Sequence, residues 1–271
     1  MTSETEPVLA NKSAVDEYYS RSRSNIRKVC LEWDSIDYRV ILKDGQRSTM
    51  SETKHKELQI LNGNKGSCKS GQMIAILGPS GSGKTSLMNV LAGRVVNKGT
   101  STQRLLGNIC VNGQTRDIDD FRKISSYVLQ DDALFTHLTV HETLYLAAEF
   151  FLSTTANAEE KELLVAGIIA ELGLNACKNT IIGDAKYRGI SGGERKRTAI
   201  AQQMITNPSV MFMDEPTTGL DSFQALSTME CINRLAANGR LVITVIHQPR
   251  SQIFALFDKL LLLSQGRDIF F

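Results

Sequence analysis

The chain has 271 residues, 42% of them hydrophobic and 22% charged, which excludes a disordered or fibrous protein and is long enough to bury a sizeable core. Its 31 basic and 29 acidic residues leave a formal charge of +2, which argues against nucleic-acid binding through bulk charge. A membrane helix needs roughly 18 consecutive apolar residues, and the longest candidates, LVITVI at 241–246 and LLLL at 260–263, fall far short.

Residues 1–27 are rich in Ser, Glu, Lys, Asn and Arg and are expected to form a flexible tail. They contain no long apolar stretch and carry both charge signs, so they do not read as a secretory signal and the cytosol is the default. The Ser-Arg alternation at 20–24 reads as a solvated face, with a kinase target or partner patch as the alternative. VCLEW at 29–33 and YRVIL at 38–42 are short β-rich runs and predict paired strands. The polar stretch at 43–57 predicts a loop. Five cysteines (Cys30, Cys68, Cys110, Cys177, Cys231) form no C-x-x-C pair, so free thiols are expected rather than disulfides or a zinc site.

From residue 58 short apolar runs, MIAIL at 73–77, VMFM at 210–213 and LVITVI at 241–246, alternate with helical stretches. Continuous runs of this kind suit strands buried on both faces, as in a parallel α/β sheet. Between about 132 and 190 the alternation stops. Thr139–Leu152 places apolar residues at helical spacing behind a Thr139/Glu142 capping box, and Glu159–Leu172 repeats the helical pattern. This segment reads as a helical insertion.

The segment 78–85, GPSGSGKT, fits G-x-x-x-x-G-K-[ST], with a strand before it and a helix after it. Its glycines let backbone N–H groups curl around phosphate oxygens, Lys84 reaches the outer phosphates and the Thr85 hydroxyl can ligate Mg²⁺. GTP is disfavoured because the base-reading N-K-x-D is missing: the Asn-Lys pairs at 11–12 and 97–98 run on into Ser13-Ala14 and Gly99-Thr100. The run VMFM ends in Asp214 and Glu215. At the carboxyl end of a parallel strand, Asp214 suits a metal-side acid and Glu215 a base for the attacking water. Gln130 and His247 end two further runs. Singly each is an ordinary strand-end residue, but four runs ending in groups that phosphoryl transfer uses point to one nucleotide. Ser191 and Glu194 open a good helix as a capping box around two glycines, which leaves its N–H groups open to an anion. Local physics alone does not separate that reading from an ordinary capped helix.

The ordered set of Walker A (Gly78 to Thr85), Q-loop (Gln130), signature ISGGE (Ile190 to Glu194), Walker B with adjacent glutamate (Asp214, Glu215), D-loop GLD (Gly219 to Asp221) and switch His247 resembles an ABC transporter nucleotide-binding domain over about residues 29–271. DEPTTGLDS, VIHQPR and LFDKLLLLSQGR resemble the G subfamily of White-type half-transporters. The resemblance implies an α/β P-loop NTPase core of ABC ATPase type with a parallel sheet, an N-terminal antiparallel β subdomain, and a helical subdomain at about 132–205, all within 28–271.

The resemblance further implies ATP and Mg²⁺, held by Gly78, Pro79, Ser80, Gly81, Ser82, Gly83, Lys84, Thr85 and Gln130. Ser191, Gly192 and Gly193 would close over the nucleotide of a second such domain. Thr85, Gln130 and Asp214 would serve the metal, and Glu215, His247 and Lys84 the chemistry. The implied partner is a second half-transporter, homo- or heterodimeric, with no nucleic acid involved. A membrane domain outside this chain would carry a lipid-like or small hydrophobic substrate and hold the protein on the cytoplasmic side of a membrane. The alternatives are a soluble ABC ATPase and a truncated ATP-binding product. Two positions depart from the commonest pattern. Glu194 replaces a frequent Gln, and its carboxylate is expected to fold back onto the Ser191 N–H. The adenine-stacking aromatic has only Tyr38 as a candidate, separated from the P-loop by the polar stretch.

Overall fold

The computed structural model describes residues 12–43, 55–95, 103–152, 154–184 and 186–271. In chain order the elements are α1 (Lys12–Ser24), β1 (Cys30–Lys43), β2 (His55–Lys69), β3 (Met73–Leu77), α2 (Lys84–Leu91), β4 (Gln103–Val111), β5 (Gln114–Thr115), α3 (Ile118–Ile124) and β6 (Ser125–Val128). They continue with α4 (Val140–Phe151), α5 (Ala158–Glu171), a 3₁₀ turn at Asn175–Cys177, α6 (Gly192–Met204), β7 (Val210–Asp214), α7 (Ser222–Ala237), β8 (Leu241–Val245), α8 (Ser251–Phe254), β9 (Lys259–Ser264) and β10 (Arg267–Phe270). Two compact units result: Met1–Ile26 with Asp131–Asn207, and Arg27–Gln130 with Pro208–Phe271.

In the second unit the apolar runs become a six-stranded sheet of order β10-β9-β3-β8-β7-β6. All its pairings are parallel except the β9–β10 hairpin. Every residue of β7 and β8 is buried, which is why these strands read as unbroken apolar runs rather than alternating ones. A second, antiparallel sheet has the order β2-β1-β4-β5. The P-loop helix α2 lies between the two sheets in the same core. Its Leu87, Met88, Val90 and Leu91 are completely buried in a cluster with Leu31 and Leu61 of one sheet and Phe212 and Ile243 of the other.

The two β-rich runs near the N-terminus are not partners of each other. Both lie on the single strand β1, which pairs with β2 on one side and β4 on the other. Ser35, at φ 54°, breaks the register between them, and that irregularity makes one long strand look like two short ones. Of the expected loop at 43–57, residues 44–54 lie outside the described residues, and strand structure runs to Lys43 and resumes at His55.

The first unit is helical. Thr139 and Glu142 cap α4 reciprocally, and Asn157 and Glu160 cap α5 in the same way. Lys196 of α6 is buried and its ammonium sits 2.7 Å from Asp132. The expectation of a tail over residues 1–27 needs correcting for the stretch 12–24, since residues 1–11 lie outside the described residues. That stretch is α1, and it is docked on α5. Val15 and Tyr19, four residues apart and so on one face, are both buried. The Tyr19 ring lies against Gly167 of α5, where no side chain intervenes, and its hydroxyl donates to Glu171. Arg23 sits 3.9 Å from Glu171, and the Asn207 amide donates to the Ser22 carbonyl at 2.8 Å. Composition missed this helix because two apolar side chains suffice when a partner helix covers them.

Candidate active site

Because β6, β7, β8 and β3 run parallel, their carboxyl ends share one edge of the sheet, where an open α/β fold binds ligands. That edge carries the 78–85 loop after β3, Gln130 beyond β6, Asp214 and Glu215 at the end of β7, and His247 beyond β8. The loop depends on its glycines. Gly78 has φ 154°, and a Cβ there would sit 2.2 Å from the Leu263 carbonyl oxygen. Gly83, at φ 100°, precedes α2 and offers no side-chain cap, so the first N–H groups of the helix remain available to an anion. Lys84 Nζ donates to the Gly78 and Pro79 carbonyls, 3.0 Å from each, a position where oxygen acceptors already surround the ammonium. The Ser82 hydroxyl is buried without a hydrogen-bond partner among the described residues.

The Thr85 hydroxyl, in the first turn of α2, donates to Asp214 Oδ1 at 3.3 Å. Burial pushes the Asp214 carboxyl above its ordinary value and the neighbouring Glu215 adds to this, while hydrogen bonds from Tyr127 and Thr85 oppose both. Thr85 and Asp214 are hard oxygen donors, and among the described residues no cluster of three or more His, Cys, Asp or Glu forms a metal cage. The donor set therefore fits Mg²⁺, which takes one or two protein ligands and fills its octahedron with water and phosphate oxygens. The Ser82 hydroxyl, buried and without a hydrogen-bond partner among the described residues, fits the same need for an outside oxygen.

Glu215 is held by its neighbours. Gln130 Nε2 donates to Glu215 Oε2 at 3.1 Å and the Thr218 hydroxyl donates to the same oxygen at 2.8 Å. Its backbone is left-handed, φ 47°, an uncommon conformation for a non-glycine residue that turns the side chain away from the line of the strand. Gln130, expected on the metal side, thus meets the proposed base with its amide nitrogen. His247 is exposed at the end of β8. Neither Thr218 nor Tyr127 is among the site residues expected from the sequence. The spacing of Thr218, three residues after Glu215, is a turn spacing that would have pointed to it.

Ser191, Gly192 and Gly193 belong to the helical unit. There the Ser191 hydroxyl and N–H donate to Glu194 Oε2 at 2.7 and 2.8 Å, and the Glu194 N–H donates back to Ser191 Oγ. Glu194 therefore folds onto Ser191 as expected. Burial alone would raise its carboxyl, but the Ser191 bonds, the Cys177 thiol and Arg197 together hold it below the ordinary value. Tyr38, the one adenine-stacking candidate, is buried in the core of the other unit and offers no exposed face to a base.

A P-loop beside a Thr–Asp pair and an anchored glutamate, all at one carboxyl edge, defines a site for handling nucleotide phosphates. Residues 61–218 match the family model described as ABC transporter, and the chain belongs to the ABC transporter family. Among the curated proteins it is similar to are G-family members. ABC transporter G family member 14 of Arabidopsis thaliana is 43% identical over 243 residues, covering 90% of this chain and 36% of the relative. G family member 7 of the same plant is 41% identical over 263 residues, covering 96% and 34%. The chain spans about a third of the length of these relatives. In fold it is similar to the ATP-binding cassette MJ0796, solved as a post-hydrolysis dimer bound to ADP and Pi, with a TM-score of 0.64, 22% identity, and coverage of 88% of this chain and 96% of that one. Among the described residues no helix is long and apolar enough to cross a membrane.

Proposed function

We propose that this chain is the ATP-binding and ATP-hydrolysing domain of a G-type ABC half-transporter. The carrying observation is that the Thr85–Asp214 pair and the Gln130–Glu215 pair stand at the same sheet edge as the P-loop. The amides of residues 78–85 and Lys84 hold the phosphates, and Thr85, Asp214 and Gln130 serve the metal. Mg²⁺, when bound, offsets charge on the phosphate oxygens. Glu215 accepts a proton from the attacking water, and its anchors at Gln130 and Thr218 aim the carboxylate. His247 stands at the same edge to meet the terminal phosphate.

Ser191, Gly192 and Gly193 present a capped helix start to the nucleotide of a second such domain, in a homo- or heterodimer, so that two domains close head to tail over ATP. Closure then drives a membrane domain that moves a lipid-like or small hydrophobic substrate and keeps the protein at the cytoplasmic face of a membrane. The test is Glu215→Gln. Turnover, followed as phosphate release, is expected to fall by about 10²- to 10⁴-fold. ATP still raises the melting temperature, and a dimer accumulates in sedimentation. Turnover at the parental rate would remove Glu215 from the base role.

A further inference from the structure

We propose that Tyr127 is a positioning residue for the metal-side acid: it holds the second carboxylate oxygen of Asp214 and is itself clipped in place by Arg94. The inference rests on the ATP and Mg²⁺ reading of the site. Strand β6 pairs in parallel with β7, with Tyr127 opposite Phe212 and Val128 opposite Met213. Side chains two apart on a strand share a face, so Phe212, Asp214 and Tyr127 all point to the side occupied by α2. The Tyr127 and Phe212 rings stack with centroids 6.4 Å apart at 22°, and the phenol reaches along the sheet to donate to Asp214 Oδ2 at 3.3 Å.

Asp214 therefore has one donor on each oxygen, Thr85 from the P-loop helix on Oδ1 and Tyr127 from the neighbouring strand on Oδ2. Two donors from two elements fix the plane of the carboxylate, which neither can do alone. Burial and the nearby Asp214 charge push the Tyr127 phenol up, so it remains a donor. Arg94, just beyond the end of α2, lies with its guanidinium 4.1 Å from the centre of the Tyr127 ring, a cation–π contact that ties the ring to the end of the helix whose start carries Thr85. Gln130 follows Tyr127 by three residues. A shift of the strand that leads to Gln130 is thereby felt at Asp214.

The chain itself supplies the test. Dissociation constants for a fluorescent ATP analogue are measured with saturating Mg²⁺ and with EDTA, in the parental chain and in Tyr127→Phe, which keeps the ring, its stacking and the Arg94 contact. The expected result is a 3- to 10-fold weakening, roughly the value of one hydrogen bond, confined to the Mg²⁺ arm. Metal-free binding stays unchanged, as does the melting temperature without nucleotide. Arg94→Ala moves the Mg²⁺ arm in the same direction, and Arg94→Lys, which keeps a cation over the ring, recovers part of it.

The opposite outcome is well defined. If the phenol only withdrew charge from Asp214, its removal would leave Mg²⁺-ATP binding equal or tighter, and that result overturns the proposal. Equal weakening in both arms overturns it too, because it marks a general packing loss. If the parental chain itself shows no Mg²⁺ effect, the nucleotide reading fails and this inference falls with it. An intact parental effect with an unaffected Tyr127→Phe fells the inference alone.

Discussion

Gly167→Ala tests the docking of α1 by the sign of its effect. Gly167 lies inside α5, where alanine is ordinarily favoured by about 1 kcal/mol. In this chain a Cβ at that position would stand 2.4 Å from Cγ of Tyr19 and 2.8 Å from its Cβ. Those atoms are the root of the side chain, so rotating Tyr19 does not clear them and α1 itself has to move. Overpacking of this kind costs about 1 to 3 kcal/mol, which outweighs the propensity gain. A docked α1 therefore predicts a net loss of up to about 2 kcal/mol, or several degrees in melting temperature, where an uncovered α5 predicts a gain. Trypsin reads the same event directly, since Arg21 and Arg23 stand in the last turn of α1 and become cleavable as it detaches. Tyr19→Ala in the Gly167→Ala background removes the ring and recovers part of the loss. A variant with a raised melting temperature and unchanged trypsin protection would refute the docking argument.

Lys196→Met leaves Asp132, whose side chain is only 12% exposed, without the ammonium now 2.7 Å away, and is expected to cost about 3 to 5 kcal/mol in urea denaturation. Lys196→Met with Asp132→Leu recovers most of it, because the stranded charge rather than the lost pair dominates. Glu194→Gln probes the signature helix start through pH. The Glu194 carboxyl is held below its ordinary 4.5, so its contribution to stability is complete above that value and is lost as the pH falls through the depressed native value. The gap in melting temperature between parent and variant is accordingly widest near neutrality and closes in acid.

The parts of the fold legible in the sequence are those where local pattern and tertiary role coincide. MIAIL, VMFMD and LVITV are buried on both faces, so apolar continuity alone identifies them. The capping boxes at Thr139 and Ser191 are local chemistry and form as spaced. What stayed hidden depends on distant partners. Strand β4 carries a mixed pattern, with most of its residues exposed, and is fixed by its register with β1. The two apolar side chains of α1 become a buried face only because α5 supplies Gly167 and Glu171. At the site, the residues that end strands were legible because a polar group after an apolar run stands out. Tyr127 was not, since an aromatic inside ISSYVL reads as core until the β6–β7 register sets its hydroxyl beside Asp214.

Glu194 shows how a residue that looks wrong for a phosphate site is reconciled with it. An ionised carboxylate accepts only, and this one takes the Ser191 N–H and the Ser191 hydroxyl. Its charge is thus absorbed on its own side of the helix start, and burial with the adjacent charge and hydrogen bond holds Cys177 as a thiol, its pKa pushed up to about 11. Ser191 has one hydroxyl proton, and Glu194 holds it at 2.7 Å. To donate toward an anion, the hydroxyl must turn away and forfeit a hydrogen bond to a charged acceptor, about 1.5 to 3 kcal/mol. A glutamine at 194 would accept the same proton as a neutral group at roughly half that strength. Glutamate at this position therefore makes it costlier to draw the Ser191 hydroxyl from its cap than glutamine would.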